Sequence, residues 1–193
     1  TGQWAANSNP FDQWTNSRAA IQYLNLFLAE AGKVKWAKDE NVSLLFRDRL
    51  MGEAYGLRAL YMYYLLQAHA GVATNGQLLG VPILLEPETP TSDFNVARSS
   101  FEDCMKQLYS DVEKATKLLP LDFEDAAALP PGYNNLSDYN RVFGKYARQR
   151  MSSRIAQFVR AQAALLAASP AFSAGNTTTW ENAANYAGEL LNL

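Results

Sequence analysis

Residues 52–85 read GEAYGLRALYMYYLLQAHAGVATNGQLLGVPILL, an aromatic-rich stretch that breaks at Gly71 and resumes as Gly80-Val81-Pro82 before an apolar run. Leu50, Ala54, Leu57, Tyr61, Tyr64 and Ala68 recur in steps of three or four, which places them on one face of a helix. The spacing predicts a helix over 42–70, closed by Gly71, with a short extended piece at Val81–Leu85. The uninterrupted apolar run Ala59–Leu66 is flanked by Arg58 and Gln67. A membrane-crossing helix needs about 20 such residues, so none is expected here.

Outward from this stretch the same periodicity dominates. Phe101, Met105, Leu108, Val112, Ala115 and Leu119 form one stripe, with Ser99 and Glu102 as a capping box and Pro120 as a stop, giving a helix over 99–119. Met151, Ile155, Phe158, Gln162 and Leu165 form a third series within a helix over 141–168. Thr178 and Glu181 read as a second capping box opening a helix over 179–193, and a first helix covers 11–31. Five amphipathic helices in succession imply an all-α fold of antiparallel, tetratricopeptide-like pairs. No strict 34-residue period is visible. The loops at 71–98 and 120–140 are longer than connectors need to be.

A chain of 193 residues, 48% hydrophobic and 19% charged, has the balance of a folded domain. Its net charge of −2 gives no reason to expect nucleic acid or an anionic membrane as partner. The single cysteine excludes an internal disulfide and any Cys-based zinc site, and Cys104 reads as a small buried apolar residue. Arg141, Lys145, Arg148, Arg150, Arg154 and Arg160 run without an acid, whereas 99–125 holds seven acids against three lysines, so the two stretches are expected to neighbour each other. Of these cations only Arg141, Lys145 and Arg148 share a helical face.

Catalysis needs a nucleophile with a base, a carboxylate pair, a metal set or a phosphate cradle, and the inventory is thin on each. His69, the one histidine, falls at a helix end, where a structural role facing the dipole suffices. Asp122, Glu124 and Asp125 crowd one loop without calcium-loop spacing and read as solvated acids. Glu86 and Glu88 lie between prolines and read as an exposed loop rather than a glycosidase pair. No metal, cofactor or catalytic residue is implied.

Carbohydrate binding is better served, because sugar rings stack their apolar faces on aromatic planes while their hydroxyls pair with amides. Gln3-Trp4-Ala5-Ala6-Asn7-Ser8-Asn9 supplies an aromatic and amides in a non-helical lead-in, and Pro131-Gly132-Tyr133-Asn134-Asn135 does so in a long loop. Trp4, Asn7, Asn9, Tyr133 and Asn134 are the candidate glycan contacts. Each segment also has a packing alternative: Trp4 can cover the core beside the first helix, and Tyr133 can pack under its own loop. Trp14, Trp36 and Trp180 read as helix-end packing, and of Tyr61, Tyr63 and Tyr64 at least one is expected in the core and none at a ligand.

The residues Glu53, Ala54, Leu57, Arg58, Ala59, Tyr61, Tyr63, Tyr64, Gly71, Gly80, Val81 and Pro82 resemble the signature of the SusD-like (RagB/SusD) family. Trp14 with Ile21, Asn25, Leu26, Phe27 and Leu28 is similar to the family's first helix. Arg98-Ser99-Ser100-Phe101 through Leu118-Leu119-Pro120, then 165–172, then Trp180-Glu181-Asn182-Ala183-Ala184, follow in the family's order. The resemblance implies the N-terminal helical region, residues 1–193, of a longer surface lipoprotein from a Bacteroidetes-type nutrient-uptake system at the outer membrane. It implies that such a protein binds an oligosaccharide or polysaccharide and hands it to a SusC-like TonB-dependent transporter without covalent change. Thr1-Gly2-Gln3-Trp4 carries no initiating Met or signal peptide, so the chain reads as an excised piece, with the lipid-bearing cysteine expected before Thr1. The alternatives are a tetratricopeptide-like protein-interaction scaffold without sugar binding and, disfavoured by the inventory, a glycan-degrading enzyme.

Overall fold

A computed structural model describes residues 9–191. Six helices carry the fold: α1 (Trp14–Glu30), α2 (Glu40–His69), α3 (Phe101–Leu118), α4 (Leu136–Phe143), α5 (Ser153–Ala168) and α6 (Trp180–Leu191). Two short strands, β1 (Gly71–Val72) and β2 (Leu78–Leu79), pair antiparallel after α2. Side chains that satisfy orphan backbone donors set most helix starts. Asp39 Oδ1 accepts from the Val42 amide at 3.0 Å, Ser100 Oγ from Asp103 at 3.0 Å, and Asn135 Oδ1 from Ser137 at 2.8 Å.

Neighbouring helices run antiparallel. The start of α1 meets the end of α2, where Trp14 packs edge-on to His69. The end of α3 meets the first half of α2, where a Cβ on Gly52 would come within 2.7 Å of Leu119. Arg160 of α5 pairs with Glu189 of α6. Phe101, Met105, Leu108, Val112, Ala115 and Leu119 are all buried, so the α3 stripe faces the core as its spacing predicts. Cys104 is buried too, and burial pushes its thiol pKa up.

The long α2, about 45 Å at 1.5 Å per residue, is the axis. At its centre Arg58 is buried and donates from Nε and Nη2 to Asp111 Oδ2 and Oδ1 at 2.8 and 2.7 Å, and from Nη1 to Asn25 Oδ1 at 2.8 Å. Asn25 Nδ2 in turn donates to the carbonyls of Leu84 and Glu86 at 3.0 and 3.3 Å. Gln22 clasps the Glu88 backbone from both sides at 2.8 Å, and Arg18 pairs with the Glu88 carboxylate at 3.2 Å. Residues 80–88 therefore hang from α1 by side-chain amides. Gly80 lets this segment close: a Cβ there would meet Cys104 Sγ at 2.5 Å.

Five sequence expectations are corrected. The helix over 141–168 is two helices: α4 ends at Phe143, Gly144 is extended, and Gln149 turns through a positive φ of 70°. Ser152 then caps α5, whose first amides donate to the carbonyls of Pro120 and Leu121 at 3.0 and 3.1 Å. Within α5 the buried side is Ala156, Val159, Ala163 and Ala167, while Ile155, Phe158 and Leu165 point outward, the reverse of the predicted stripe. Along α2 the buried stripe is Gly52, Gly56, Ala59, Met62 and Leu66; of the predicted series only Ala54 is buried. Both predicted capping boxes lie one residue late, at Ser100 with Asp103 and at Thr179 with Asn182. Val81–Leu85 forms no strand, although the Gly80 amide donates to the Ser99 carbonyl at 2.9 Å and the Ser99 amide to the Val81 carbonyl at 3.3 Å.

The break in the basic stretch removes its shared face, and five of its six cations, all but Arg141, meet an acid. Lys145 pairs with Asp125, Arg148 with Glu124 and Arg154 with Asp122, as the expected neighbourhood requires. Arg150 donates to Glu53 at 2.8 Å. The hydrogen bond from Arg154 holds the Asp122 carboxyl below its usual range, and that from Lys145 does the same for Asp125. A carboxyl with a lower pKa folded than unfolded stabilises the fold above the unfolded value, about 3.9 for Asp, and loses that contribution as pH falls through the lower folded value.

Two outcomes are expected. Hydrogen-exchange protection of residues 121–126, corrected for intrinsic rate, falls between pH 6 and pH 3 relative to α3; unchanged relative protection would show that these ion pairs do not hold the loop. Asp111→Ala strands a buried guanidinium and costs about 3–5 kcal/mol in urea unfolding, whereas Arg58→Met with Asp111→Leu loses less than that single change. A double variant as unstable as the sum of its singles would contradict the assignment.

Candidate functional site

The lead-in to α1 folds as a short turn. Asn9 Oδ1 accepts from the Phe11 amide at 2.9 Å, and Asp12 Oδ1 accepts from Trp14 at 2.9 Å. This turn rests on the end of α2 through His69, whose Nε2 lies 3.2 Å from the Gln13 amide and 3.0 Å from Asp12 Oδ1. Arg98 fixes the same helix end from the other side, donating to the carbonyls of His69 and Gly80 at 2.6 and 2.7 Å. His69 thus has the structural position its place in the sequence implied.

Between the turn and α2 opens a groove of about 570 Å³, lined by Asn9, Phe11, Gln13, Tyr64, Gln67 and Ala68. Its volume lies within the roughly 300–1,000 Å³ usual for small-ligand sites. Phe11 is 65% exposed and Tyr64 37%. Tyr61 and Tyr63 set their rings 6.3 and 5.9 Å from that of Tyr64, forming an aromatic platform. Tyr61 and Tyr63 are half-buried and pack against the core, as expected of at least one of the three, while Tyr64 is exposed. Among the described residues the lining carries no charged side chain. It offers apolar ring faces beside three amides, the combination that suits a polyhydroxylated ring.

The second predicted segment builds a smaller pocket of about 180 Å³ at the other end of α2, lined by Asn41, Leu44, Leu45, Tyr133, Asn134 and Asp138 among others. Tyr133 packs edge-on against Tyr139 at 4.7 Å and Phe143 at 5.8 Å, and burial pushes its phenol pKa up. Its ring is therefore engaged in packing, against α4 and not under its own loop. Asn135 is committed to capping α4, while Asn41 and Asn134 are exposed and engage no described residue.

Leu44 and Gln67, one at each pocket, are separated by about 35 Å of helix. The structure does not bring Asn9 together with Tyr133 and Asn134. Trp4 and Asn7 lie outside the described residues. Phe11, Gln13, Tyr64 and Gln67 were not read as contacts from sequence; the available signal was an aromatic beside Asn9-Pro10 and the i,i+3 pair Tyr64 and Gln67 at a helix end. Trp180, read as packing, is 57% exposed, while Trp36 packs as expected, donating from Nε1 to the Ala31 carbonyl. Among the described residues no three His, Cys, Asp or Glu side chains are grouped to hold a metal.

Residues 2–135 match the model of a SusD-like family described as starch-binding and associating with the outer membrane. Solved structures share the fold. A candidate sugar-binding protein from Bacteroides vulgatus is 21% identical with a TM-score of 0.63, the match covering 98% of this chain and 34% of that one. A SusD-like protein from Bacteroides fragilis is 18% identical with a TM-score of 0.63, covering 93% and 26%. A SusD superfamily protein from Bacteroides thetaiotaomicron is 18% identical with a TM-score of 0.61, covering 92% and 31%. The chain thus spans about a quarter to a third of the length of these structures. None of the curated proteins matches it.

The two aromatic sites differ in what their rings do for the fold. Tyr133→Ala, which removes two edge-on contacts, is expected to cost about 2 kcal/mol in urea unfolding. Tyr64→Ala is expected to stay within about 0.5 kcal/mol, as an exposed position should. Equal losses would show that Tyr64 is a packing residue.

Proposed function

The chain belongs to the SusD-like family, and on that premise we propose that it is the N-terminal helical region of a longer surface lipoprotein of the outer membrane that captures a glycan and passes it to a SusC-like TonB-dependent transporter. Capture and release involve no covalent step. The observation that carries the reading is the uncharged groove at the end of α2, where Phe11 and Tyr64 offer ring faces beside the amides of Asn9, Gln13 and Gln67. Trp4 and Asn7, a few residues before Asn9, are assigned to the same site. Tyr133 and Asn134 form a lesser contact at the opposite end of α2.

The helical body is the scaffold in this reading and supplies the surface that meets the transporter. Its structural neighbours are three to four times longer, so further glycan contacts from outside these residues are part of the proposal. The ring faces and amides of the described lining suit neutral oligosaccharides better than uronic or sulfated ones, which need a cation to replace lost hydration.

Calorimetric titration of the full-length protein with a panel of neutral oligosaccharides tests this. Binding without turnover is expected, weakened about tenfold in Tyr64→Ala and in Trp4→Ala, the equivalent of one lost stacking contact of about 1.4 kcal/mol. Binding unchanged in both variants would move the site off this groove. Absence of binding across the panel would favour a protein-interaction scaffold.

A further inference from the structure

The groove has one wall on α2 and the other on the turn before α1, and one imidazole fastens the two. His69, the last residue of α2, presents Nε2 to two different groups of that turn, the Gln13 amide at 3.2 Å and Asp12 Oδ1 at 3.0 Å. A ring nitrogen serves one of them at a time: without a hydrogen it accepts from Gln13, and with one it donates to Asp12. The neutral ring carries its hydrogen on either nitrogen, so both arrangements are open to it, whereas the imidazolium carries one on each and keeps only the second. Asp12 Oδ1 already has a donor in the Trp14 amide, while among the described residues the Gln13 amide has no other acceptor. The neutral ring therefore satisfies most groups with its hydrogen on Nδ1 and Nε2 turned to Gln13.

We propose that His69 is a positioning residue for the groove: as a neutral acceptor it holds the Gln13 wall against α2, and on protonation it releases that wall, so that ligand is held at neutral pH and let go in acid. The inference rests on the reading of this groove as the glycan site. His69 is not part of the lining and acts through Gln13, which is. In the imidazolium two N–H groups face each other across 3.2 Å, and the Asp12 carboxylate draws the ring the other way. The charged groups around the ring are three. Asp12 faces it from the turn, Arg98 donates to the His69 carbonyl from the segment before α3, and Arg18 of α1 lies over Trp14, the ring that packs edge-on to His69. Residues 62–68 of α2 add no charge.

Titration of the full-length protein with the panel of neutral oligosaccharides at pH 8 and again at pH 5 tests the proposal, an interval that contains the ordinary imidazole range and stays above that of carboxylates. Affinity is expected to fall about fivefold in acid, the equivalent of one lost neutral hydrogen bond. His69→Gln, whose side-chain carbonyl accepts from Gln13 without titrating, is expected to stay within about twofold of the pH 8 affinity at both values. Equal affinity at both pH values in the unsubstituted protein, or a fall that persists undiminished in His69→Gln, would overturn the proposal and leave the glycan reading standing. Amide-resolved hydrogen exchange without sugar provides the second measurement. Corrected for intrinsic rate, the Gln13 amide is expected to lose at least about threefold protection relative to Ser17 between pH 8 and pH 5. Constant relative protection would overturn the release of the wall whether or not a sugar binds. Release seen here with no oligosaccharide bound at either pH would support the role of His69 and sink the glycan reading alone.

Discussion

One buried cation organises this fold. Arg58 sits in the middle of α2 with no water to hydrate it, so its donors must be met by fixed acceptors. Asp111 brings α3 to it and Asn25 brings α1. Because Asn25 spends its amide hydrogens on the carbonyls of Leu84 and Glu86, the segment after the hairpin is set by the same group. Buried ion pairs add little net stability against apolar replacements of similar volume, but an unpaired one is costly. The network's effect is therefore on register: a slide of α1 or α3 by one turn along α2 would strand a guanidinium.

That register places the candidate groove. With Asn25 fixed against the centre of α2 and the two helices antiparallel, the start of α1 must fall beside the last turn of α2. There Trp14 and Gln13 meet His69, and the turn at residues 9–13 lies across Tyr64 and Gln67. The groove has one wall on a helix held by Arg98 and the other on a turn held by Asn9 and Asp12. Both walls exist before any ligand arrives, so little ordering entropy remains to be lost on binding.

How far this was legible in the sequence depended on how each helix is buried. Helix α3 has one apolar side and a charged one, so spacing alone located its core face and nearly its start. Helix α2 is enclosed by α1, α3, α4 and α5, and its buried stripe begins with Gly52 and Gly56, where Leu119 and Met151 lie where a Cβ would stand. A rule that follows large apolar residues cannot see a stripe built on glycine. The same rule inverted α5, because alanines pack the close helix contacts while Phe158 and Leu165 face outward. The break before α5 was marked by Gly144 and the Ser152-Ser153 pair, but its cause is tertiary: Asn140 exchanges bonds with the Ala126 backbone, and the carbonyls of Pro120 and Leu121 satisfy the new helix start. The candidate site was half legible, since Asn9 was read, whereas Tyr64 was assigned by helical spacing to packing.

The chemistry of the groove suits the capture and release proposed for it. Affinity built on ring faces and neutral amides accumulates in small increments and strands no charge when the ligand departs. A site built on buried ion pairs would leave an unmatched charge on release, which slows dissociation. Charged groups around this helix end have partners within the fold: Asp12 accepts from the Trp14 amide, Arg18 pairs with Glu88, and Arg98 donates to backbone carbonyls. Scaffold electrostatics and ligand surface are thus kept apart along α2: the cation that fixes the register is buried at the helix centre, and the surface left for exchange at its end is uncharged.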